Sequence, residues 1–444
     1  MRLPARPPDV DPLAGFESLV ELLSAVQGAG AATHEYLPWD KLRWRTPPPG
    51  LTHEQWWAAT KIARSGMQRQ LPIRDASGAA FTYALPDRVL QLVDGIATRA
   101  GGQIGMAEPV TDPATRDRYV VRGLMEEAIT SSQLEGASTT RRVAKEMLRD
   151  GRRPTTKGER MIVNNYRGME FVRDHRRDPL TPALVLELHA VLTEGTLDDP
   201  GDAGRLQRPT DERVRVETFE GDIVHRPPPA EELPERLEAL CAFANGPADD
   251  PGPWIHPVVR SVVVHFLAGF DHYFVDGNGR VARALFYWSM LHRGLWLTEF
   301  TTISTILKRA PAKYARSYLN SEYDGGDLTY FILYHLEVLT RAFDELESYL
   351  ERKIRESQDV RRLVAEHRHE VNHRQLAILD AALRDPRSQF TIASHRRSHG
   401  VVMETARRDL NDLETRGLLV RSQRGRAFVW SPAPSLPEQL YRHR

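Results

Sequence analysis

From position 117 onward the apolar residues fall into step with a helix. Val120, Val121, Leu124, Ala128 and Ile129 recur at three- and four-residue spacings, the stripe of an amphipathic helix. That helix closes in the string Ser131-Ser-Gln-Leu-Glu135-Gly136, where Gly136 reads as a C-terminal stop. The same period predicts helices over 161–172, 181–193, 231–245, 257–270, 279–292 and from 328 to about 350. One stretch inside this series alternates instead: 213–216 and 222–225, joined by Glu220-Gly-Asp222, predict a short β-hairpin. Upstream, residues 1–115 are rich in Pro, Gly and aromatic side chains. Thr52 is a candidate N-cap there, with a glutamate shortly after it, and the tryptophans read as a small packed core. Downstream, 351–373 is densely charged and predicts an exposed linker helix with opposite charges at four-residue steps. The last region, 374–444, predicts helices over 375–383, 391–398 and 404–417, then strands over 418–421 and 426–430 around Gly425. The organisation expected is an accessory region 1–115, a mainly α core 116–350 beginning with the helix 117–136, the linker 351–373 and a small C-terminal domain 374–444.

Composition adds three bounds. The formal net charge is zero, so no global field draws in nucleic acid or membrane, and any basic surface must be local. The single cysteine, Cys241, rules out an internal disulfide framework; it sits in an apolar helical run and reads as a buried thiol in a reducing compartment. The most hydrophobic stretch, 258–270, is broken by Arg260 and His265 and is too short and too charged to span a bilayer. The first residues hold no apolar leader. A cytoplasmic protein without a membrane partner is the expectation.

Residues 272–283, His-Tyr-Phe-Val-Asp-Gly-Asn-Gly-Arg-Val-Ala-Arg, carry the candidate chemistry. Gly277, Asn278 and Gly279 can take positive-φ conformations that turn successive N–H groups toward one anion. The helix that follows places this loop at a helix N-terminus, where unsatisfied N–H groups and a partial positive charge suit phosphate. Asp276 is a hard oxygen ligand suited to Mg²⁺ beside such phosphates. His272 can accept a proton from an attacking hydroxyl near neutral pH. Arg280 and Arg283 stand one helical turn apart. His265, on the apolar helix before the loop, reads as a hydrogen-bonded core residue, since no second His/Cys pair has metal-ligand spacing.

This string resembles the signature of the Fic family, His-x-Phe-x-[Asp/Glu]-Gly-Asn-Gly-Arg-x-x-Arg, at every defining position. One common position differs: Tyr273 stands where proline is usual. The resemblance implies a helical Fic core that moves AMP from ATP, with Mg²⁺, to a Ser, Thr or Tyr hydroxyl of a target protein. In that scheme His272 is the base, Asp276 holds the metal, Gly277, Asn278, Gly279 and Arg280 bind phosphate oxygens, Arg283 reaches the γ-phosphate and Phe274 anchors the loop. The 213–225 hairpin resembles the family's flap, whose edge pairs with an extended target segment. Ser131, Glu135 and Gly136 resemble its inhibitory motif, [Ser/Thr]-x-x-x-Glu-[Gly/Asn]. Glu135 would pair with Arg283 in the γ-phosphate's place, and the same carboxylate could position water to reverse the modification. Transfer of UMP, phosphate or phosphocholine stays open, because the motif grips a diphosphate and says little about the base. So does a homodimer.

The C-terminal order of three helices and a hairpin resembles a winged helix-turn-helix. Thr405, Arg407 and Arg408 would face DNA from the third helix, and Arg421, Arg424 and Arg426 would line the wing. Such modules also dock proteins, and Glu404, Asp409, Asp412 and Glu414 dilute the positive charge of that helix. A DNA-binding regulator with a Fic sensor core is therefore the alternative reading to a pure enzyme.

Overall fold

The computed structural model describes residues 3–9, 15–101, 113–217, 221–246, 254–366, 371–384, 388–424, 427–434 and 436. Glu220, Gly425 and Arg426 lie outside the described residues. The chain is mainly helical and divides into two compact units, Met1–Leu346 and Glu347–Arg444.

In the first unit two helices, Pro257–Asp271 and Asn278–His292, lie at the centre and pack against each other. Both are buried almost all round, which is why their apolar residues show no one-sided stripe. Pro257 opens the first with its fixed φ, and His256 caps it, its Nδ1 accepting the Val258 N–H at 3.1 Å. The helices Pro113–Leu134, Lys157–Asp174, Pro182–Thr193 and Leu233–Asn245 pack around this pair. The predicted hairpin is present as Val216–Glu217 paired antiparallel with Ile223–His225.

The N-terminal segment belongs to the same unit. Thr52 caps the helix His53–Ser65 in a reciprocal capping box, with Gln55 as the partner rather than the neighbouring glutamate. Trp39 and Trp57 meet edge to face at 5.9 Å in the local core. A second hairpin, Arg69–Arg74 with Ala80–Tyr83, has no counterpart in the sequence-based expectation. Pro72 hides the first strand, since proline argues against a strand interior.

The helix Thr329–Glu366 runs unbroken through the place where the sequence suggests one helix ending near 350 and a linker helix over 351–373. No glycine or proline interrupts 329–366, so nothing stops the first helix at that point. In the second unit the helices His373–Arg384, Ile392–His399 and Met403–Thr415 precede an antiparallel pair, Leu419–Arg424 with Ala427–Pro432. Leu379, Leu410, Leu413, Leu419 and Trp430 form the core of this unit.

Candidate active site

His272 ends the central helix Pro257–Asp271 in a left-handed conformation, φ 46°, uncommon for a residue with a Cβ. A helix leaves its last four carbonyls unsatisfied, and here side chains take up four in succession. His272 Nδ1 donates to Gly269 C=O. His225 Nε2 bonds Phe270 C=O at 2.7 Å. Arg213 donates to Asp271 C=O at 2.6 Å and to His272 C=O at 2.8 Å. The strained histidine is thus fixed by its own ring and by two side chains from the segment that carries the Val216–Glu217/Ile223–His225 hairpin. Because Nδ1 holds the proton, Nε2 is left as the acceptor. Burial, reinforced by the nearby His225 charge, lowers the His272 pKa to about 4, so the ring is a free base at neutral pH.

His225 is a cation for a geometric reason. Its Nδ1 faces the Glu322 carboxylate at 2.8 Å and its Nε2 faces a carbonyl, so both nitrogens must donate. Burial opposes the charge, but the bond to Glu322 outweighs it and the pKa rises.

The loop after His272 is held as closely. Asn278 Oδ1 accepts the Phe274 N–H at 2.9 Å, and its Nδ2 donates to Phe274 C=O at 2.7 Å. The Asn278 side chain therefore closes the turn rather than facing a ligand. Phe274 is fully buried and stacks on His189 at 3.7 Å. His189 Nε2 bonds Asp276 C=O at 2.9 Å, and its Nδ1 accepts the Gly204 N–H at 2.9 Å. Burial brings the His189 pKa down to about 4, which matches the one-donor, one-acceptor role. Gly277 is the N-cap of the next helix with φ 88°, a conformation that favours glycine. Tyr273, in the proline position, is buried and donates to Asp271 Oδ2 at 2.6 Å. Asp271 Oδ1 accepts from Arg236 Nε at 2.7 Å, and Arg236 reaches on to the Arg74 carbonyl at 2.8 Å.

Two arginines line the cradle, in opposite states. Arg280 is completely buried, and one N–H reaches Leu192 C=O at 2.8 Å. Its Nε and second terminal nitrogen have no hydrogen-bond partner; Asp276 approaches the latter only to 3.6 Å. A buried guanidinium with unused donors is costly unless an anion completes it. Arg283 is well partnered: it donates to Ser131 Oγ at 2.8 Å, Ser131 C=O at 3.1 Å and Glu135 Oε1 at 2.8 Å. Burial disfavours the Glu135 charge, yet Arg283, with help from Arg280, wins and holds the carboxyl below its usual range. A Cβ on Gly279 would lie 2.3 Å from Glu135 Oε1, so the carboxylate sits directly over the first turn of the motif helix. Gly136 follows with φ 91° and turns the chain away.

Asp276 is half exposed, and its Oδ1 accepts the Gly277 N–H at 2.5 Å. No cluster of three or more His, Cys, Asp or Glu among the described residues could hold a metal. One hard carboxylate beside an anion cradle fits a cation such as Mg²⁺ that takes its remaining ligands from phosphate and water.

His265 bonds the Tyr314 hydroxyl at 3.0 Å, and Tyr318 stacks on Phe266 at 5.1 Å; Tyr314 also hydrogen-bonds Arg283, so it adjoins the cradle from the core side. Cys241 is buried and free. His189, Arg213, His225 and the Arg236–Asp271–Tyr273 chain were missed by sequence reasoning. Each acts on a backbone atom or a neighbour brought close by folding, and none sits in a spacing pattern that announces it.

Residues 179–290 match the Fic/DOC family model. They include His272 through Arg283, while Ser131, Glu135 and Gly136 lie upstream. No curated protein matches the chain. Among solved structures, a Fic family protein from Desulfovibrio desulfuricans G20 shares 22% identity with a TM-score of 0.52, over 79% of this chain and 98% of that one. A Fic domain containing signaling protein from Bacteroides thetaiotaomicron VPI-5482 shares 20% identity, TM-score 0.46, over 60% and 97%. Fic-1 from C. elegans, residues 134–508, shares 16%, TM-score 0.47, over 75% and 84%. The fold is a Fic fold, mainly helical, and its matched segment contains the histidine, the glycine turn and both arginines.

Proposed function

We propose that this protein transfers AMP from ATP to a Ser, Thr or Tyr hydroxyl of a target protein, and that Glu135 restrains the reaction. The observation that carries the reading is the buried Arg280 with two unused nitrogens in the first turn of the helix that Gly277 caps, a cradle one anion short. The diphosphate of a nucleotide supplies that anion at a helix N-terminus. His272 Nε2 takes the proton of the target hydroxyl. The hydroxyl oxygen then bonds the α-phosphorus, the bond to the β-phosphate oxygen breaks, and pyrophosphate leaves. Mg²⁺ held by Asp276 would neutralise phosphate charge. Arg280 and Arg283 stabilise the negative charge that builds on the phosphate oxygens. The Val216–Glu217/Ile223–His225 hairpin offers its edge to an extended target segment. Glu135, ionised and bound to Arg283, occupies the space a third phosphate needs; with product bound, the same carboxylate would orient water for the reverse step.

The test is to incubate the Glu135→Gly variant with ATP, Mg²⁺ and cell lysate and to read modified peptides and intact masses. Adenylylated Ser, Thr or Tyr is the expected result. A UMP, phosphate or phosphocholine adduct, or no adduct on any hydroxyl, overturns the assignment.

A further inference from the structure

We propose that the C-terminal unit is a winged helix that binds duplex DNA through the exposed arginines of its second and third helices, Arg396, Arg397, Arg407 and Arg408. The argument begins with charge. Residues 374–444 hold thirteen arginines and seven carboxylates in a chain whose formal charge is zero, so the rest of the chain is acidic to the same extent and the basic excess is confined here.

The structure then sorts the acids that dilute the third helix. Asp409 points inward and is bound by Arg374 at 2.7 Å, Asn372 at 2.9 Å and His395 at 3.0 Å. Asp412 accepts from Gln375 at 2.7 Å and Arg416 at 3.0 Å. Glu414 accepts from Trp430 Nε1 at 2.8 Å and lies 3.3 Å from Arg421. Asp412 is thus neutralised where it is part-exposed, and Glu404, 3.6 Å from Arg407, is the most exposed of the four acids. Arg396, Arg397, Arg407 and Arg408 are all exposed, so the net charge of that face is positive.

Geometry fits a duplex. Gly400, in the left-handed conformation, opens a three-residue turn between Ile392–His399 and Met403–Thr415, the length that sets one helix across another for groove entry. Phe390 pairs with Trp430 by 2.8 and 2.9 Å backbone bonds, which adds a third strand position to the hairpin behind the helices. Val402 and Met403, 69% and 55% exposed, sit at the leading end of the third helix. A helix entering the major groove by its N-terminal end brings such residues to base edges, where apolar side chains meet thymine methyl groups. Four guanidiniums on two adjoining helices match phosphates on either side of that groove.

The experiment uses the full-length protein and a fluorescent 30-base-pair duplex of mixed sequence, read by anisotropy between 50 and 200 mM NaCl. Binding should weaken steeply with salt, as phosphate neutralisation requires. Arg407→Ala/Arg408→Ala and Arg396→Ala/Arg397→Ala should each weaken binding about tenfold and flatten the salt slope by about one per arginine removed. Thermal unfolding and ATP binding of these variants should match the parent. No binding at micromolar protein in 50 mM salt overturns the proposal, as does undiminished binding by the fourfold variant. Polyglutamate competing as well as unlabelled duplex would also sink it, in favour of an acidic protein partner.

Discussion

The two sides of the cradle are built differently. On the histidine side, four successive carbonyls from Gly269 to His272 are claimed by side chains, and Phe274 and Asp276 are claimed as well. On the carboxylate side, the closing contact is one ion pair, Glu135 with Arg283, and the Glu135 side chain is still 26% exposed. The difference fits the roles proposed for the two residues. A base would have to meet its proton within hydrogen-bond reach, and the backbone of His272 is over-determined. A restraint would have to yield, and a single part-exposed side chain can swing without unpacking its helix.

The largest effect should come from the rigid side. His272→Ala should lower AMP transfer by about 10²–10⁴-fold, the range for losing a general base, while calorimetry shows ATP binding kept. Unchanged incorporation of labelled AMP would remove His272 from the chemistry. Next comes the yielding side. Glu135→Gly should raise transfer by about 10- to 100-fold, the equivalent of one charged hydrogen bond of about 1.5–3 kcal/mol. Arg283→Ala should not copy that gain, because it removes a phosphate ligand together with the restraint; a hyperactive Arg283→Ala enzyme would contradict the pairing.

A smaller loss should follow Tyr273→Phe. Asp271 is left with one buried oxygen short of a donor, a cost of about 1–3 kcal/mol. The melting temperature should drop and kcat should fall several-fold with KM nearly unchanged; a change in KM alone would place Tyr273 against substrate instead. The mildest effect is on pH. His272 and His189 titrate near 4 in the folded state, below the ordinary value of about 6.5. Between those values the unfolded chain binds protons that the folded one refuses, so stability should decline as pH falls from 6.5 toward 4. His225 has the opposite sign: its raised pKa gives stability in full below the ordinary value, lost as pH rises through the folded one. Melting curves across pH 4–8 check both, and a flat profile between 6.5 and 4.5 would deny the neutral histidines.

Much of the fold and the candidate site can be read in the sequence where the signal is local. Helical periods and the Gly136 stop are properties of neighbours along the chain, and they appear where expected; of the three turn residues read in the motif only Gly277 takes a positive φ, while Asn278 and Gly279 already belong to the helix that follows. Asn278 shows the limit: its place in the string is plain, but its role in closing the loop depends on where the Phe274 backbone lies. Arg213 and His225 have the alternation of a hairpin, yet their main contacts are carbonyls about 45 to 59 residues away. Such partners leave no period or spacing behind. The strand Arg69–Arg74 was concealed by its proline, and the helix Thr329–Glu366 was divided because a change in charge density resembles a boundary while breaking no backbone bond.

The Arg236 bond to the Arg74 carbonyl has a practical corollary. Anyone excising the recognisable stretch, 179–290, for laboratory use would discard Arg74, Ser131, Glu135 and Glu322 at once, removing the buttress behind Tyr273, the carboxylate bound to Arg283 and the counter-ion of His225 in one cut. The smallest piece that keeps all three spans at least positions 74 to 322, more than twice the length that homology outlines.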